Sequence, residues 1–414
     1  MANTLKFIDM VAKESLAVAH EKAQFIATTD RQYDDSFGIN GAKIGQTLRV
    51  RDANRYTRRT NSRVMDVQDQ DESTQNVTVA TQDGVDMRFN SAELALDTAN
   101  PKQVAEFNKR YIEPAISALV SGIEADYLEA STKATYNVAG TAGTGITTLV
   151  APGAARAKLN QGLAPKDMNR CIQMDSVTMG GLVNGVAGYF NPSSAIGDQY
   201  KEGLVARTAM ANYYENERIW NLTNSSDVTA NTNADALVTD GGSSIAVSED
   251  LSQANQVVGS VFTVAGVYAC HPETKAAYAH LQQFTVTATG AVSASVSPTI
   301  HLTGAKKNVC SSTGADLAVT DFNEKAMTFV GAASTTYAQS LMYHRDAFQF
   351  VTADLPIMDD AAKCVRMSKD GLSMRFWLGS DIRNDEMLLR IDILYGTAAL
   401  RPEWACRMIG SAAV

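Results

Sequence analysis

From Pro101 to Thr132 the apolar residues return every three or four positions: Val104, Phe107, Tyr111, Ile112, Ile116, Leu119, Val120, Ile123, Tyr127 and Leu128. That spacing predicts one buried face of a long helix, with Lys102, Glu106, Lys109, Arg110, Glu113, Glu124, Asp126 and Glu129 filling much of the rest. Asn100-Pro101 supplies an N-cap candidate followed by proline at the first helical position. About 32 residues at about 1.5 Å each make a rod of roughly 48 Å. Pro114 lies inside it, so a bend or local break is expected near residues 110–114.

Before the rod the period falls to two. Val77 and Val79 alternate with polar residues, Asp83-Gly84 reads as a turn, and Val85, Met87 and Phe89 alternate on the way back. Asp-Gly between alternating runs is a hairpin signal. A two-stranded ribbon is marginal alone in water, so it is expected to lie on another surface, most simply a second copy of the protein. At the N-terminus Leu5, Ile8, Met10, Val11, Leu16 and Val18 predict a loosely amphipathic helix and, with Lys6, Asp9, Lys13, Glu14 and Lys22 among them, no signal peptide.

Beyond the rod the elements are short. Residues 140–145 (GTAGTG) read as a turn, Ala154–Gln161 as helix, Arg170–Met174 as strand and Val177–Val186 as helix. Residues 224–260 are rich in Ser, Thr, Asn, Asp and Gly. Val261–Val267, Phe284–Ala288 and Ala291–Leu302 follow as short strands, together a β-rich insertion in the form of a small barrel. Strands are expected again at Gly371–Leu378 and Met387–Tyr395, the second largely buried, before a final segment Arg401–Ile409.

A chain of 414 residues has room for two or three domains. The net charge of −9 and the pI near 5.2 argue against tight, sequence-independent binding of nucleic acid over the whole surface. No apolar run approaches the roughly 20 residues that span a bilayer. Cys171, Cys270, Cys310, Cys364 and Cys406 are odd in number and lack a C-x-x-C, a pattern of reduced thiols in a cytosol. The N-x-S/T matches at Asn76, Asn221 and Asn224 carry little weight in such a compartment.

Motifs for catalysis are incomplete. His344-Arg345-Asp346 imitates a kinase catalytic loop, but position 351 is Val where magnesium needs Asn, so a strand entry with His344 and Arg345 at the surface is expected instead. GTAGTG lacks the Lys-Ser/Thr of a phosphate loop. Cys270-His271 with His280 lacks a second cysteine pair for zinc. His20-Glu21 has no second His, no G-x-S-x-G occurs, and Asp69-Gln70-Asp71 lacks the rest of a calcium loop. No catalytic, cofactor-binding or metal-binding residue is assigned, and no enzyme is expected.

The charged stretch before the ribbon is the candidate site. Arg49, Arg51, Arg55, Arg58, Arg59 and Arg63 run with Asp52 as the only acid, then Asp66, Asp69, Asp71 and Glu72 follow. Three readings stand: phosphate binding by a basic arm, a solvated face, or pairing with acidic neighbours on another subunit. The last makes the arm a clamp between subunits.

The order of these parts resembles the major capsid protein of tailed double-stranded-DNA bacteriophages, in particular the Salmonella-podovirus coat-protein family, whose fold carries an inserted domain. The residues that carry the likeness are Arg110-Tyr-Ile-Glu-Pro-Ala115 leading to Leu119, Phe262-Thr-Val-Ala-Gly-Val-Tyr268, Gln282-Gln-Phe-Thr-Val286, Tyr343-His-Arg-Asp-Ala-Phe348, Gly371-Leu-Ser-Met-Arg375, Arg390-Ile-Asp-Ile-Leu-Tyr-Gly396 and Leu400-Arg-Pro402. The resemblance implies an α+β capsid fold. Its parts would be an N-terminal helical arm (1–44), an extended β-hairpin loop (45–96), a peripheral domain with the spine helix (97–140 and 341–395), an axial domain (141–223, 326–340 and 396–414) and a β-rich insertion (224–325).

It implies an icosahedral shell of hexamers and pentamers of this chain, built as a procapsid around a scaffolding protein in the bacterial host cytoplasm. A portal protein would occupy one vertex, and double-stranded DNA would be enclosed without sequence-specific contacts. No cofactor, catalysis or membrane is implied. Two alternatives stay open: an encapsulin-type compartment shell, against which the large insertion counts, and a phage carbohydrate-binding or adhesin protein, which gives no reason for the spine helix.

Overall fold

The computed structural model describes residues 23–31, 47–65, 67–69, 72–90, 108–186, 211–226, 229–232, 238–247, 257–289, 293–358, 363–369, 372–381, 383–384 and 386–412. It is α+β and divides into two compact units. The first holds residues 1–50, 75–127 and 348–398, and the second 51–74, 128–347 and 399–414. The expected N-terminal helix, with its apolar positions from Leu5 to Val18, lies outside the described residues. A short helix over Gln24–Thr28 buries Phe25 and Ile26.

The first unit is built on one sheet. It contains β1 (Asp30–Arg31), β4 (Thr81–Asn90), β17 (Phe348–Ala353), β18 (Lys363–Lys369), β19 (Leu372–Asp381) and β20 (Glu386–Ala399). Its order is β1-β17-β20-β19-β18, with β4 also on β20. Phe25, Tyr127 and Phe350 meet at its centre, with ring centroids 4.7 and 5.4 Å apart in succession, and Tyr395 stacks on Phe350 at 5.6 Å. Glu124, fully buried on the long helix, accepts the Phe25 N–H at 2.5 Å and so meets the positive end of helix Gln24–Thr28.

The expected hairpin is not formed. β3 (Thr74–Thr78) pairs with β2 (Thr47–Arg51), whereas β4 runs unbroken through Asp83-Gly84 and pairs antiparallel with β20 from Thr81↔Tyr395 to Asn90↔Glu386. Gly84 is therefore a strand residue. A Cβ there would stand 2.5 Å from Asp392 Oδ1 and 2.8 Å from the Ile391 carbonyl. Its role is close approach, not a turn. The ribbon was also expected to lie on a second copy. Instead β4 lies on the chain's own β20, and Val77 and Val79 are buried. Beneath Gly84, Asp392 is fully buried and receives Arg375 Nη2 at 2.6 Å and Arg390 Nε at 2.8 Å.

The long helix begins, among described residues, as a π turn over Asn108–Ile112 and continues as α-helix over Glu113–Ala134. Pro114 cannot donate to the Arg110 carbonyl, and the change of helix type falls where the break was expected. Ile112, Ile116, Leu119, Val120, Ile123, Tyr127 and Leu128 are buried as their spacing predicts. Tyr111, expected on the same face, is 46% exposed, because the wider turn rotates it off the stripe.

The second unit holds two sheets. One, in the order β5-β21-β16-β6-β7, comprises β5 (Val138–Ala139), β6 (Arg170–Met174), β7 (Asn212–Glu215), β16 (Thr336–His344) and β21 (Ala405–Ala412), with β8 (Asn221–Thr223) also on β16. Helices Val150–Gln161 and Ser176–Val186 cover it through Ala155, Leu159, Met179 and Leu182, against Ile172, Met342 and Met408. The turn at 140–145 is as expected, with Gly140 and Gly143 at positive φ.

His344 was expected at the surface and is buried. Its Nε2–H faces Asp167 Oδ1 at 2.9 Å, its Nδ1 accepts the Asp346 N–H at 3.3 Å, and Trp404 meets its ring edge-on at 5.5 Å. Because the chain turns straight from β16 into the turn Arg345–Ala347, the last strand side chain stays under that cover. Arg345 is exposed, as expected.

The other sheet is the insertion. It comprises β9 (Thr229–Asn231), β10 (Gly242–Ala246), β11 (Val261–Cys270), β12 (Ala277–Thr289), β13 (Ser293–Ile300), β14 (Val309–Cys310) and β15 (Ala326–Phe329), in the order β10-β13-β12-β11-β15-β9 with β14 on β11. An antiparallel bridge between Thr232 and Val247 ties the two edges together, which makes a barrel. Phe262, Phe284, Phe329, Val264, Val286 and Ile300 fill it, with Phe262 5.7 Å from Phe284 and 5.3 Å from Phe329. β15 belongs to this barrel, so the insertion runs past residue 325, where its end was expected.

Candidate subunit-contact arm

β2 and β3 carry a loop that leaves the sheets altogether. Asp52 N–H donates to the Ser73 carbonyl at 3.0 Å. Further out, the Gln68 side-chain amide takes the place of a strand rung, accepting the Thr57 N–H at 2.8 Å and donating to the Thr57 carbonyl at 2.7 Å. At the tip Asn61 has φ of 55°, Ser62 Oγ accepts the Val64 N–H at 3.2 Å, and Arg59 Nη1 donates to the Val64 carbonyl. Residues 52–65 and 67–69 contain no helix or strand, so these few bonds hold two legs and a turn.

The arm's apolar side chains face water. Val64, Met65 and Val67 are each 77% exposed and Tyr56 is 54% exposed. Sequence reasoning passed over them in favour of the arginines. The signal was present: Val64-Met65 and Val67 sit among Arg63 and Asp69 in a segment with no period to bury them.

The charged candidates divide. Arg51 faces Glu72 across the base of the arm at 3.7 Å, both well exposed. Arg55 approaches Glu403 at 3.9 Å; burial raises the Glu403 carboxyl above its ordinary range, with Arg55 pulling the other way. Arg59 holds the tip. Arg49, Arg58, Arg63 and Asp69 are exposed and make no ion pair among the described residues. Asp66 and Asp71 lie outside the described residues. Thus two of the six arginines meet acids of the same chain.

Magnitudes rank the groups. An exposed ion pair contributes about 0–1 kcal/mol. Burying a Val or Met side chain contributes about 1.5–3 kcal/mol. The tip's apolar residues would therefore supply most of the free energy of any docking, and the arginines its register. Among the described residues no helix is long and apolar enough to cross a membrane.

Residues 219–410, just under half of the chain, match the family model of the P22 coat protein, gene protein 5. That stretch runs from β8 through the barrel to β21. That likeness covers the second half of the chain only.

Solved structures with a loosely similar fold include that titled Mycobacterium phage Che8, at TM-score 0.45 and 8% identity over 92% of this chain and 89% of that one. The capsid of cyanophage P-SCSP1u gives TM-score 0.42 and 10% identity over 90% and 85%. The mature capsid of bacteriophage PhiM1 gives 0.40 and 11% over 88% and 82%. No curated protein matches the chain's sequence.

Proposed function

We propose that many copies of this chain, as hexamers and pentamers, form the closed icosahedral head of a tailed phage. The shell is first a procapsid around a scaffolding protein, with a portal protein at one vertex, assembled in the bacterial host cytoplasm. It then encloses double-stranded DNA without sequence-specific contacts. The role is structural, with no catalytic residue or cofactor. The single observation that carries this reading is the arm Asp52–Ser73, which exposes Val64, Met65 and Val67 on a loop with no helix or strand among its described residues.

In the assembly the arm docks on a neighbouring subunit. Val64, Met65 and Val67 enter an apolar surface there. Arg49, Arg58 and Arg63, with Asp69 and the acids at 66 and 71, set the register, while Arg51, Arg55, Arg59 and Glu72 stiffen the arm from within. Electron microscopy of the chain co-expressed with a scaffolding protein tests the reading, with closed shells expected. Val64→Asp combined with Met65→Asp is expected to abolish shells while leaving a folded monomer. Arg58→Glu with Arg63→Glu is expected to lower the yield or misplace the lattice. Regular shells from the apolar-tip variant at unchanged yield would refute the docking role.

A further inference from the structure

The five cysteines are free thiols, and four of them are buried. Cys171, Cys364 and Cys406 stand on β6, β18 and β21; the other two share one ladder of the barrel. Where β11 meets β14, Cys310 stands opposite Tyr268 and Val309 opposite Ala269. The Cys270 N–H donates to the Asn308 carbonyl at 3.0 Å. Cys270 and Cys310 are therefore offset by two positions on adjacent strands, on the side of the ladder that Tyr268 takes. Cys310 Sγ lies 3.8 and 3.7 Å from the Tyr268 and Ala269 carbonyls and Cys270 Sγ 3.9 Å from the His271 carbonyl, so both thiols stand at the same end of β11.

Two cations flank the cysteines. The Lys275 ammonium is held by the carbonyls of Pro272 and Ala305, and the Lys307 ammonium by Gly314 and Asp316; the Lys307 charge favours ionisation of the Cys310 thiol. Against them, Cys310 is fully buried while Cys270 is 6% exposed.

We propose that Cys270 and Cys310 are a latent disulfide, a modification site in the insertion barrel that closes on contact with a low-molecular-weight disulfide such as oxidised glutathione. Cys270, the more accessible thiol, loses its proton and attacks one glutathione sulfur. A mixed disulfide forms and one glutathione thiolate leaves. Cys310 then loses its proton, its sulfur attacks the Cys270 sulfur, and the second glutathione thiolate is expelled. Two protein thiols are oxidised by two electrons, one glutathione disulfide is reduced, and the two thiol protons end on two glutathione thiols. The bond fastens the end of β11 to β14 and closes segment 271–309, which holds β12 and β13.

Burial pushes the Cys310 thiol up to about 11, the neighbouring Cys270 thiol adding to the effect and Lys307 opposing it. Ring closure needs the Cys310 thiolate. Below that value its rate rises about tenfold per pH unit, as the thiolate fraction does.

The full chain, folded, is incubated with oxidised glutathione at pH 7 to 9, alkylated, digested with trypsin and read by mass spectrometry. A peptide containing Cys270 joined to one containing Cys310, reversed by dithiothreitol and forming faster at pH 9, is the expected result. Cys270→Ser and Cys310→Ala chains, assayed for folding by circular dichroism, are expected to lose the crosslink. In the Cys310→Ala chain Cys270 is expected to stop at the glutathione adduct. Three results would overturn the proposal: both thiols still free after prolonged exposure, Cys270 halted at the adduct in the unsubstituted chain, or either cysteine joined to a different one. None of these outcomes depends on whether the chain forms shells.

Discussion

Substitution at Gly84 tests the register of the first unit, because one residue there reports both a strand pairing and a buried ion cluster. Alanine would place its Cβ 2.5 Å from Asp392 Oδ1 and 2.8 Å from the Ile391 carbonyl. The second contact is to backbone and has no rotamer by which to escape. The first would push Asp392 away from Arg375, which is 5% exposed at its side chain. Replacing glycine by alanine in a strand otherwise gains roughly 0.5–1 kcal/mol. Overpacking costs about 1–3 kcal/mol. A net loss on the order of 1–2 kcal/mol is therefore expected for Gly84→Ala, and more for Gly84→Val. Asp392→Ala leaves the Arg375 guanidinium without its counter-charge and is expected to cost about 3–5 kcal/mol. Arg390, half exposed, adds little. The assay is urea denaturation of the unassembled chain, followed by hydrogen exchange of the β20 amides. Gly84→Asn separates strand from turn. Asparagine tolerates the left-handed conformation of a turn, but on β4 it meets the same carbonyl. If Gly84→Asn and Gly84→Ala were both neutral, β4 would not lie on β20 as described.

Three further outcomes follow from buried polar groups. Arg407 is fully buried and donates to the carbonyls of Gly259 and Lys133 and to Thr285 Oγ1, so Arg407→Met should cost about 2–3 kcal/mol and expose the Gly259 region to protease; an unchanged denaturation midpoint would refute the clamp. Glu124→Ala removes the acceptor of the Phe25 N–H and should cost about 1–3 kcal/mol, with faster amide exchange over residues 23–31 as the check. Asp167 loses some solvation but is held below its ordinary value by hydrogen bonds from Asn169 and His344. A depressed carboxylate contributes stability above its unfolded value, near 3.9, and loses it as pH falls through the lower folded value. The Asp167–His344 corner should therefore hold at neutral pH and open only in strong acid, read by Trp404 fluorescence; opening between pH 5 and 7 would contradict this.

The legible parts of the fold were those whose period matches a single burial surface. The stripe on the spine helix is an example, since its apolar face meets one core; the strand at Arg170–Met174 was legible for the opposite reason, a short run buried on both faces. Asp83-Gly84 misled because the same dipeptide serves two physical ends. Glycine supplies φ > 0 in a turn, and in a strand it supplies the absence of a side chain. Only the partner strand, some 300 residues later, decides which. His344 misled for a related reason: its cover comes from Asp167 and Trp404, both distant in sequence. At the arm, sequence exposed the charges and hid the ranking, because nothing local tells whether an arginine meets Glu403 or water.

The pairing of β4 with β20 also narrows the case for assembly. A ribbon from residue 74 to residue 90 with no surface of its own would by itself require a second copy. The chain instead covers that segment, burying Val77 and Val79 and bonding β4 along its whole length. Among the described residues, the segment after β2 keeps a shorter and chemically sharper feature in water, the apolar tip Val64, Met65 and Val67. A monomer can tolerate that cost, since three exposed side chains forgo only about 1.5–3 kcal/mol each. In the proposed shell the same residues would be withdrawn from water at every contact, favouring closure by a sum that grows with copy number. A subunit that is stable alone and that assembles as proposed would need both halves of that arrangement: strands paired within the chain, and an apolar tip exposed until it docks.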